Sequence, residues 1–421
     1  MLSTEENALL TRTGPGTPMG ELFRRFWLPA LLSEELPNSD CPPIRLRLLC
    51  EDLVAFRDST GRVGILGAHC PHRGASLFFG RNEERGLRCV YHGWKFDADG
   101  HCVDMPNEPP ESNFKDKVHA PSYPTRERAG LIWIYMGPAD RRPSLPELEW
   151  ARVPDDHRLV AKWLQETNYL QGFEGDIDTS HASFLHTYLD PSQSPGDRTI
   201  RPDLKAADRA PKIIVDQTDY GFRYGAKRRV GDGTFNWRIT QWLMPTYSLI
   251  GFIDFPANGR CWIPIDDEHT WTFFFHFHPE RPLTEKERAS FASGRAFPPH
   301  LIPGTYRPLR NRENEYMLDR ELQRTSTYTG IYGVNDQDRA IQESMGAIYD
   351  RTQEHLATAD TAVIAARRRL IQAVRDLQRG IEPYPASHGD LYHVRALDAV
   401  TNHDDMRALL ADFGDRVVAS V

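Results

Sequence analysis

The strongest constraint on the fold of this chain comes from two short segments that each carry one cysteine and one histidine. Cys70-Pro71-His72 is followed, after sixteen residues, by Cys89-Val90-Tyr91-His92. Gly74 and Gly93 come just after the two segments, and glycine lets a tight loop bring its backbone close to a bound group. The pattern predicts two loops that meet around one metal centre.

Four β-like runs around these loops predict a domain of short strands. Turn signals at Ser59-Thr60-Gly61 and Asp99-Gly100 separate some of the runs. The runs cover residues 53–56, 63–66, 87–90 and 131–135.

Two cysteines and two histidines can hold either a structural zinc or an iron–sulfur cluster. Zinc sites of this kind usually take the cysteines as one pair and the histidines as another. Here each loop supplies one of each, as expected when one iron binds both thiolates and the other both imidazoles. The order favours a [2Fe–2S] cluster, with structural zinc as the alternative.

A second set of candidate ligands lies in the stretch 165–186. Histidines five positions apart, such as His181 and His186, point about 140° apart on an ideal helix. We therefore predict a distorted helix between Ser180 and His186. Asp178 is placed one turn before His181 and could orient its imidazole. Two histidines and a carboxylate are typical of iron(II) that reacts with dioxygen.

Residues 68–96, AHCPHRGASLFFGRNEERGLRCVYHGWKF, resemble the Rieske centre of ring-hydroxylating oxygenases. Glu174, Asp178, His181 and His186 fit the spacing of the iron-binding motif in the same family. The likeness runs from residue 11 to roughly residue 395 and is greatest to the single-subunit, phthalate-dioxygenase-like group.

That resemblance implies how the first site is built. Cys70 and Cys89 would bind one iron, and His72 and His92 the other. Respiratory Rieske proteins have two further cysteines that bridge the loops, whereas Ala75 and Tyr91 stand at the matching positions here. The resemblance is therefore to the low-potential, oxygenase type of cluster.

The third ligand of the second site is expected from the C-terminal part of the chain. Apolar residues of the stretch 356–377 follow one helical stripe, and Asp360 lies on it. Arg367 lies on the same stripe and is an alternative partner for that carboxylate. The resemblance matches Asp360 to the iron carboxylate of the family. The competing acidic residues are Asp350, Glu343 and Glu354.

Composition excludes some classes of protein. The chain has 421 residues, 40% of them hydrophobic, and a net charge of −8, which gives no reason to expect nucleic-acid binding. No apolar run approaches the length of a membrane span, and the polar N-terminus is unlike a signal peptide. Since the cysteines outside the cluster are expected to be free thiols, we expect a cytoplasmic protein. They are Cys41, Cys50, Cys102 and Cys261.

The chain is long enough for two domains, and a proline-rich stretch at 141–146 predicts their boundary. We expect an N-terminal arm over 1–26, a Rieske β-domain over 27–142 and a catalytic domain over 143–421. Strand-like runs followed by helices near 336–355 and 357–378 indicate an α+β fold. By resemblance, the second domain is a helix-grip fold, an antiparallel sheet around a long helix.

The functional hypothesis is a terminal oxygenase that uses O2 to hydroxylate an aromatic acid, by ring dihydroxylation or O-demethylation. By resemblance, a separate NAD(P)H-dependent reductase of flavin and ferredoxin type supplies electrons. They would pass through His92 and Asp178 of an adjacent subunit in a trimer or stacked hexamer. Arg238 and Arg209 are candidates for binding the substrate carboxylate. The alternative is an electron-transfer Rieske protein without oxygenase activity.

Overall fold

The computed structural model describes residues 1–190, 192, 204, 207–252, 254–296 and 298–421. The chain divides into two compact units, one formed by Thr13–Pro143 and the other by Met1–Arg12 with Ser144–Val421. The expected arm over 1–26 is thus shared between the two units. In the described parts of the chain, no helix has both the length and the apolar character to cross a membrane.

The first unit consists of one helix and three antiparallel sheets. The sheets have the strand orders β1-β11-β10, β2-β3-β4-β9 and β5-β6-β7-β8. The helix is α2 (Pro18–Arg24), and the strands are β1 (Trp27–Leu32), β2 (Ile44–Leu48), β3 (Glu51–Arg57), β4 (Val63–Gly67), β5 (Arg81–Glu83), β6 (Gly86–Arg88), β7 (Lys95–Phe96), β8 (Cys102–Asp104), β9 (Ser122–Tyr123), β10 (Thr125–Arg128) and β11 (Leu131–Tyr135).

The second unit is built on one antiparallel sheet with the order β12-β18-β17-β16-β15-β14-β13, in which β19 also pairs with β15. Its strands are β12 (Arg158–Gln165), β13 (Lys212–Thr218), β14 (Gly221–Gly231), β15 (Thr234–Leu243), β16 (Tyr247–Leu249), β17 (Ala257–Pro264), β18 (Thr270–Phe277) and β19 (Leu397–Thr401). Its helices are α1 (Thr4–Thr11), α3 (Tyr169–Ile177), α4 (Glu285–Ala292), α5 (Arg320–Thr325), α6 (Val334–Ser344), α7 (Thr361–Gln378), α8 (Tyr384–Ser387) and α9 (Met406–Asp412).

The long helix α7 packs on strands β13 and β14, as the helix-grip expectation requires. Val363, Leu370 and Val374 lie on its buried face, so the apolar stripe in the sequence is confirmed. Arg367 is also buried there, and its guanidinium pairs with Glu174 at 2.6 Å and with Glu354.

The predicted helix over 336–355 is much shorter in the structure. Helix α6 ends at Ser344, and Gly346 has a φ of +91°, a left-handed conformation that glycine adopts without strain. The chain therefore leaves the helix about ten residues earlier than the sequence pattern indicated.

Close packing of α3 against α6 depends on a glycine. A Cβ atom at Gly175 would lie 2.2 Å from the side-chain nitrogen of Gln342 on α6. A side chain at position 175 would displace the Gln342 amide, whose oxygen accepts a hydrogen bond from Gln165. The contact brings the end of α3, which leads to His181, close to the last turn of α6.

Candidate metal centres and pocket

The two Cys–His loops of the first unit have the same local geometry. The Cys70 amide donates to the Ala75 carbonyl at 2.8 Å, and the Cys89 amide donates to the Trp94 carbonyl at 2.8 Å. Gly74 and Gly93 have φ values of +74° and +81° and close the loops by donating back to the two cysteine carbonyls. Two matched loops therefore present one cysteine and one histidine each.

The donor atoms of these loops fit a [2Fe–2S] cluster. Cys70 and Cys89 are both 2% exposed, and burial raises the pKa of Cys70 to about 11, with the neighbouring Cys89 adding to the effect. The rings of His72 and His92 lie 4.4 Å apart. The buried Nδ1 of His72 has no hydrogen-bond partner among the described residues. Trp94 stacks on His72 at 4.3 Å and fixes the ring.

The second candidate centre forms where α3 ends. After Ile177 the chain turns, and His181–Ser183 form a separate 3₁₀ turn. The distorted helix predicted for this stretch is thus confirmed. As a result, the Nε2 atoms of His181 and His186 face each other at 3.2 Å, which a straight helix would not allow.

The carboxylate that joins these histidines is Asp338 on α6, not Asp360. Its Oδ1 lies 3.0 Å from His186 Nε2 and 3.5 Å from His181 Nε2, and ligand atoms of all three residues lie within 4.8 Å of one another. Asp360 lies in the 3₁₀ turn Thr358–Asp360 before α7, where its carboxylate accepts a hydrogen bond from the Ala357 amide at 2.7 Å. This corrects the third member of the expected set.

The other acidic candidates are also engaged elsewhere. Glu343 accepts a hydrogen bond from the Tyr316 hydroxyl at 2.5 Å, Glu354 pairs with Arg367, and Asp350 accepts from Thr352. None of the three joins the group formed by the two histidines among the described residues.

Each histidine is held from its other ring nitrogen. His181 Nδ1 lies 3.4 Å from Asp178 Oδ2, and His186 Nδ1 lies 2.7 Å from Gln337 Oε1. Burial lowers the pKa of His186, which favours the neutral imidazole that a metal requires. Both Nε2 atoms are therefore directed to the same place. Sequence reasoning identified Asp178 but missed Gln337.

A buried arginine also supports the turn that carries Asp178. Arg228 on β14 is 1% exposed and donates to the Thr179 carbonyl at 3.2 Å. Burial and the nearby positive charge of Arg238 lower the pKa of Arg228 to about 10.

Both parts of the chain match known protein families. Residues 26–124 match the Rieske [2Fe-2S] domain, and residues 134–414 match the LigXa C-terminal domain-like family. The chain is 40% identical to the phthalate 4,5-dioxygenase oxygenase subunit of Pseudomonas putida, over 90% of this chain and 88% of that protein. It is 33% identical to the 5,5'-dehydrodivanillate O-demethylase oxygenase subunit of a Sphingobium strain, over 91% and 83%.

The chain belongs to the Rieske oxygenase family. The structural-zinc alternative is thereby set aside, and the cofactors of this Rieske oxygenase are a [2Fe–2S] cluster and a mononuclear iron. The crystal structure of dicamba monooxygenase bound to 3,6-dichlorosalicylic acid shares the fold, with a TM-score of 0.59 and 19% identity. That match covers 85% of this chain and 98% of the other.

The histidines and Asp338 of this Rieske oxygenase lie in the wall of a pocket. Its empty volume, including the mouth, is about 690 Å³. Apolar side chains of Ile250, Phe274 and Val334 form much of the wall, and Arg238 enters it from β15. Arg209 does not line this pocket; it is exposed, with its guanidinium 5.6 Å from the Phe184 ring.

Replacing Gln337 by alanine should weaken iron binding to this oxygenase without altering the cluster. The variant removes the group that holds His186 Nδ1, and loss of such a supporting residue costs about 10- to 100-fold in metal affinity. Anaerobic titration of the metal-free site with Fe(II) measures the change. Gln353→Ala, at an exposed position, is the control, and equal affinities of the two variants would contradict the supporting role of Gln337.

Proposed function

We propose that this chain is the terminal oxygenase component that oxidises a small aromatic acid with electrons from a separate NAD(P)H-dependent reductase. The observation that carries the proposal is the meeting of His181, His186 and Asp338 at a pocket, in a chain that also holds the Rieske loops. An electron carrier would have no use for that group. Oxygenation therefore accounts for both units of the chain.

In this proposal Cys70, His72, Cys89 and His92 hold the cluster, and His181, His186 and Asp338 hold the iron. When bound, the cluster supplies single electrons and the iron supplies the chemistry that activates dioxygen. The protein's task is to orient the two imidazoles, through Asp178 and Gln337, and to hold the substrate beside them.

A carboxylated substrate is supported by the environment of Arg238. This side chain is 8% exposed, lines the pocket, and within the described residues makes one hydrogen bond, from Nε to the Gly251 carbonyl at 3.3 Å. No described carboxylate forms an ion pair with it. A buried guanidinium that lines the pocket beside the apolar side chains of Ile250, Phe274 and Val334 is suited to bind a carboxylate through paired hydrogen bonds. Arg238 would then anchor the acid group while the ring lies on the apolar wall.

Substitution of Arg238 by glutamine should raise the KM for an aromatic acid while changing kcat less. A hydrogen bond to a charged group contributes about 1.5–3 kcal/mol, equivalent to about a 10- to 100-fold change in KM. Arg209→Gln, outside the pocket lining, is the matched control and should behave as the parent protein. Steady-state kinetics decide, and a KM unchanged in the Arg238 variant would exclude this residue as the anchor.

The electron path in the proposal crosses between subunits. Asp178 touches His181 and its side chain remains 29% exposed, while Val90 and Tyr91, beside His92, are more than half exposed. These surfaces suit contact between His92 of one copy and Asp178 of the next. A head-to-tail contact of this kind closes into a ring when successive rotations bring the last copy back to the first. We propose a trimer or stacked hexamer located in the cytoplasm. Light scattering after size-exclusion chromatography would test the oligomeric state.

The experiment that tests the function is product analysis with NADH, oxygen and a reductase borrowed from a related system. The panel consists of aromatic acids with and without methoxy groups. Formaldehyde and a demethylated product indicate O-demethylation, and a product with two adjacent new hydroxyls indicates ring dihydroxylation. Reduction of the cluster with no oxidised product from any acid would count against the proposal.

A further inference from the structure

A buried ion pair between Asp176 and Arg260 lies next to Asp338. Asp176, in the last turn of α3, is 8% exposed and accepts hydrogen bonds from Ser248 Oγ and Trp262 Nε1, both at 2.6 Å. Its other carboxylate oxygen pairs with Nη1 of Arg260, which is itself 3% exposed. One carboxylate thus ties α3 to strands β16 and β17.

The same Arg260 nitrogen also lies near the candidate iron carboxylate. Nη1 is 3.9 Å from Asp338 Oδ2, whereas Asp338 Oδ1 is directed at His186. Two carboxylates, Asp176 and Asp338, therefore lie near the same nitrogen of one buried guanidinium. Because charges interact strongly over about 4 Å where water is excluded, Arg260 and a metal cation would compete for Asp338.

We infer that Asp176 draws Arg260 away from Asp338 and so keeps that carboxylate available for iron. Asp176 holds the guanidinium by the closer contact and compensates its charge, while Ser248 and Trp262 keep Asp176 itself in place. Asp176 is a positioning residue, since it acts on the metal site through Arg260. The inference rests on the proposed iron site.

The competition between Arg260 and the metal predicts a pattern of metal affinities among variants that a purely structural role of Asp176 would not produce. In Asp176→Asn, Arg260 loses the charge of its closer carboxylate partner, so its attraction to Asp338 is no longer offset. Metal affinity should fall by about 10- to 100-fold. Adding Arg260→Gln removes the competing cation, so the double variant should recover most of the lost affinity.

The test is an anaerobic titration of the full-length protein, with its cluster in place and the second site emptied, using Co(II) followed by its absorption bands. The variants are Asp176→Asn, Arg260→Gln and the double variant. Asp216→Asn is the matched control, because it removes the carboxylate charge from another Asp–Arg pair, with Arg223, that lies outside the group formed by the histidines, and it should bind Co(II) as well as the parent.

Two results would overturn the inference: parent-like affinity in Asp176→Asn, or a double variant that binds Co(II) as weakly as Asp176→Asn. If Asp176→Asn does not fold, Arg260→Gln alone decides, since the inference expects affinity equal to or tighter than the parent and weaker binding contradicts it. Failure of the proposed site looks different. In that case the parent protein either gives no Co(II) signal or gives one that His181→Ala leaves unchanged.

Discussion

Replacing Asp338 by asparagine is expected to remove the mononuclear iron, leave the [2Fe–2S] cluster intact and abolish product formation. Asparagine keeps the shape of the side chain but removes the charge that holds a cation between two neutral imidazoles. The loss of iron affinity should exceed the roughly 100-fold seen when only a supporting residue is changed. Metal analysis should fall from three irons to two per chain.

Asp360→Asn is the matched control for this prediction. Its carboxylate accepts a hydrogen bond from the Ala357 amide at 2.7 Å and lies outside the group formed by the histidines. This variant should keep three irons and near-parental activity. Loss of iron in Asp360→Asn with retention in Asp338→Asn would reverse the assignment of the third ligand.

The second large effect is expected from Asp178→Asn, which should keep both metal centres but nearly abolish turnover. Asp178 accepts from the Ser180 amide through Oδ1 and faces His181 Nδ1 with Oδ2, so asparagine keeps the iron histidine oriented by presenting its single oxygen to His181. The negative charge proposed to link His181 to a cluster histidine of the next subunit is lost.

Electron transfer can be measured apart from metal content in this variant. The cluster should be reduced normally by the reductase and should then be re-oxidised far more slowly in the presence of substrate and oxygen. Asp350→Asn, at an exposed position of the same unit, serves as the control. Full activity in Asp178→Asn would exclude the relay between subunits.

Short-range patterns in the sequence predicted much of this architecture. The Cys–His loops needed only local spacing, because each loop closes on itself through its own backbone and a left-handed glycine. The five-residue separation of His181 and His186 was enough to predict that the helix must break between them. The apolar stripe of helix α7 could also be predicted, since its apolar residues recur at the helical period.

Asp360 was assigned from the family resemblance together with the same periodic pattern, and that prediction was wrong. The pattern continues smoothly through residue 360, but helix α7 begins only at Thr361. Asp360 therefore lies in the preceding turn, where its carboxylate accepts a hydrogen bond from the Ala357 amide. No buried charge has to be neutralised by a metal at this position.

Asp338 was missed because no apolar pattern in the surrounding sequence predicts that this part of the helix is buried. Helix α6 buries polar side chains from Asn335 to Arg339 and again at Gln342 and Glu343, and several of these contact distant parts of the chain. Gln342, for example, accepts a hydrogen bond from Gln165 at 2.7 Å. A buried helix of 11 residues in which Val334, Ala340 and Ile341 are the apolar members is itself unusual, and that was the available signal. Strand β14, rich in Arg and Lys, escaped notice for a similar reason.

The most direct test of the account is a single turnover without reductase. The protein is loaded with both metals, its cluster is reduced chemically, and it is mixed with oxygen and an aromatic acid that the product panel has identified. The account predicts that the cluster is re-oxidised rapidly only when substrate is present and that oxidised product forms with it, and that both fail in Asp338→Asn. Rapid re-oxidation without product, or product formation that does not require Asp338, would contradict it.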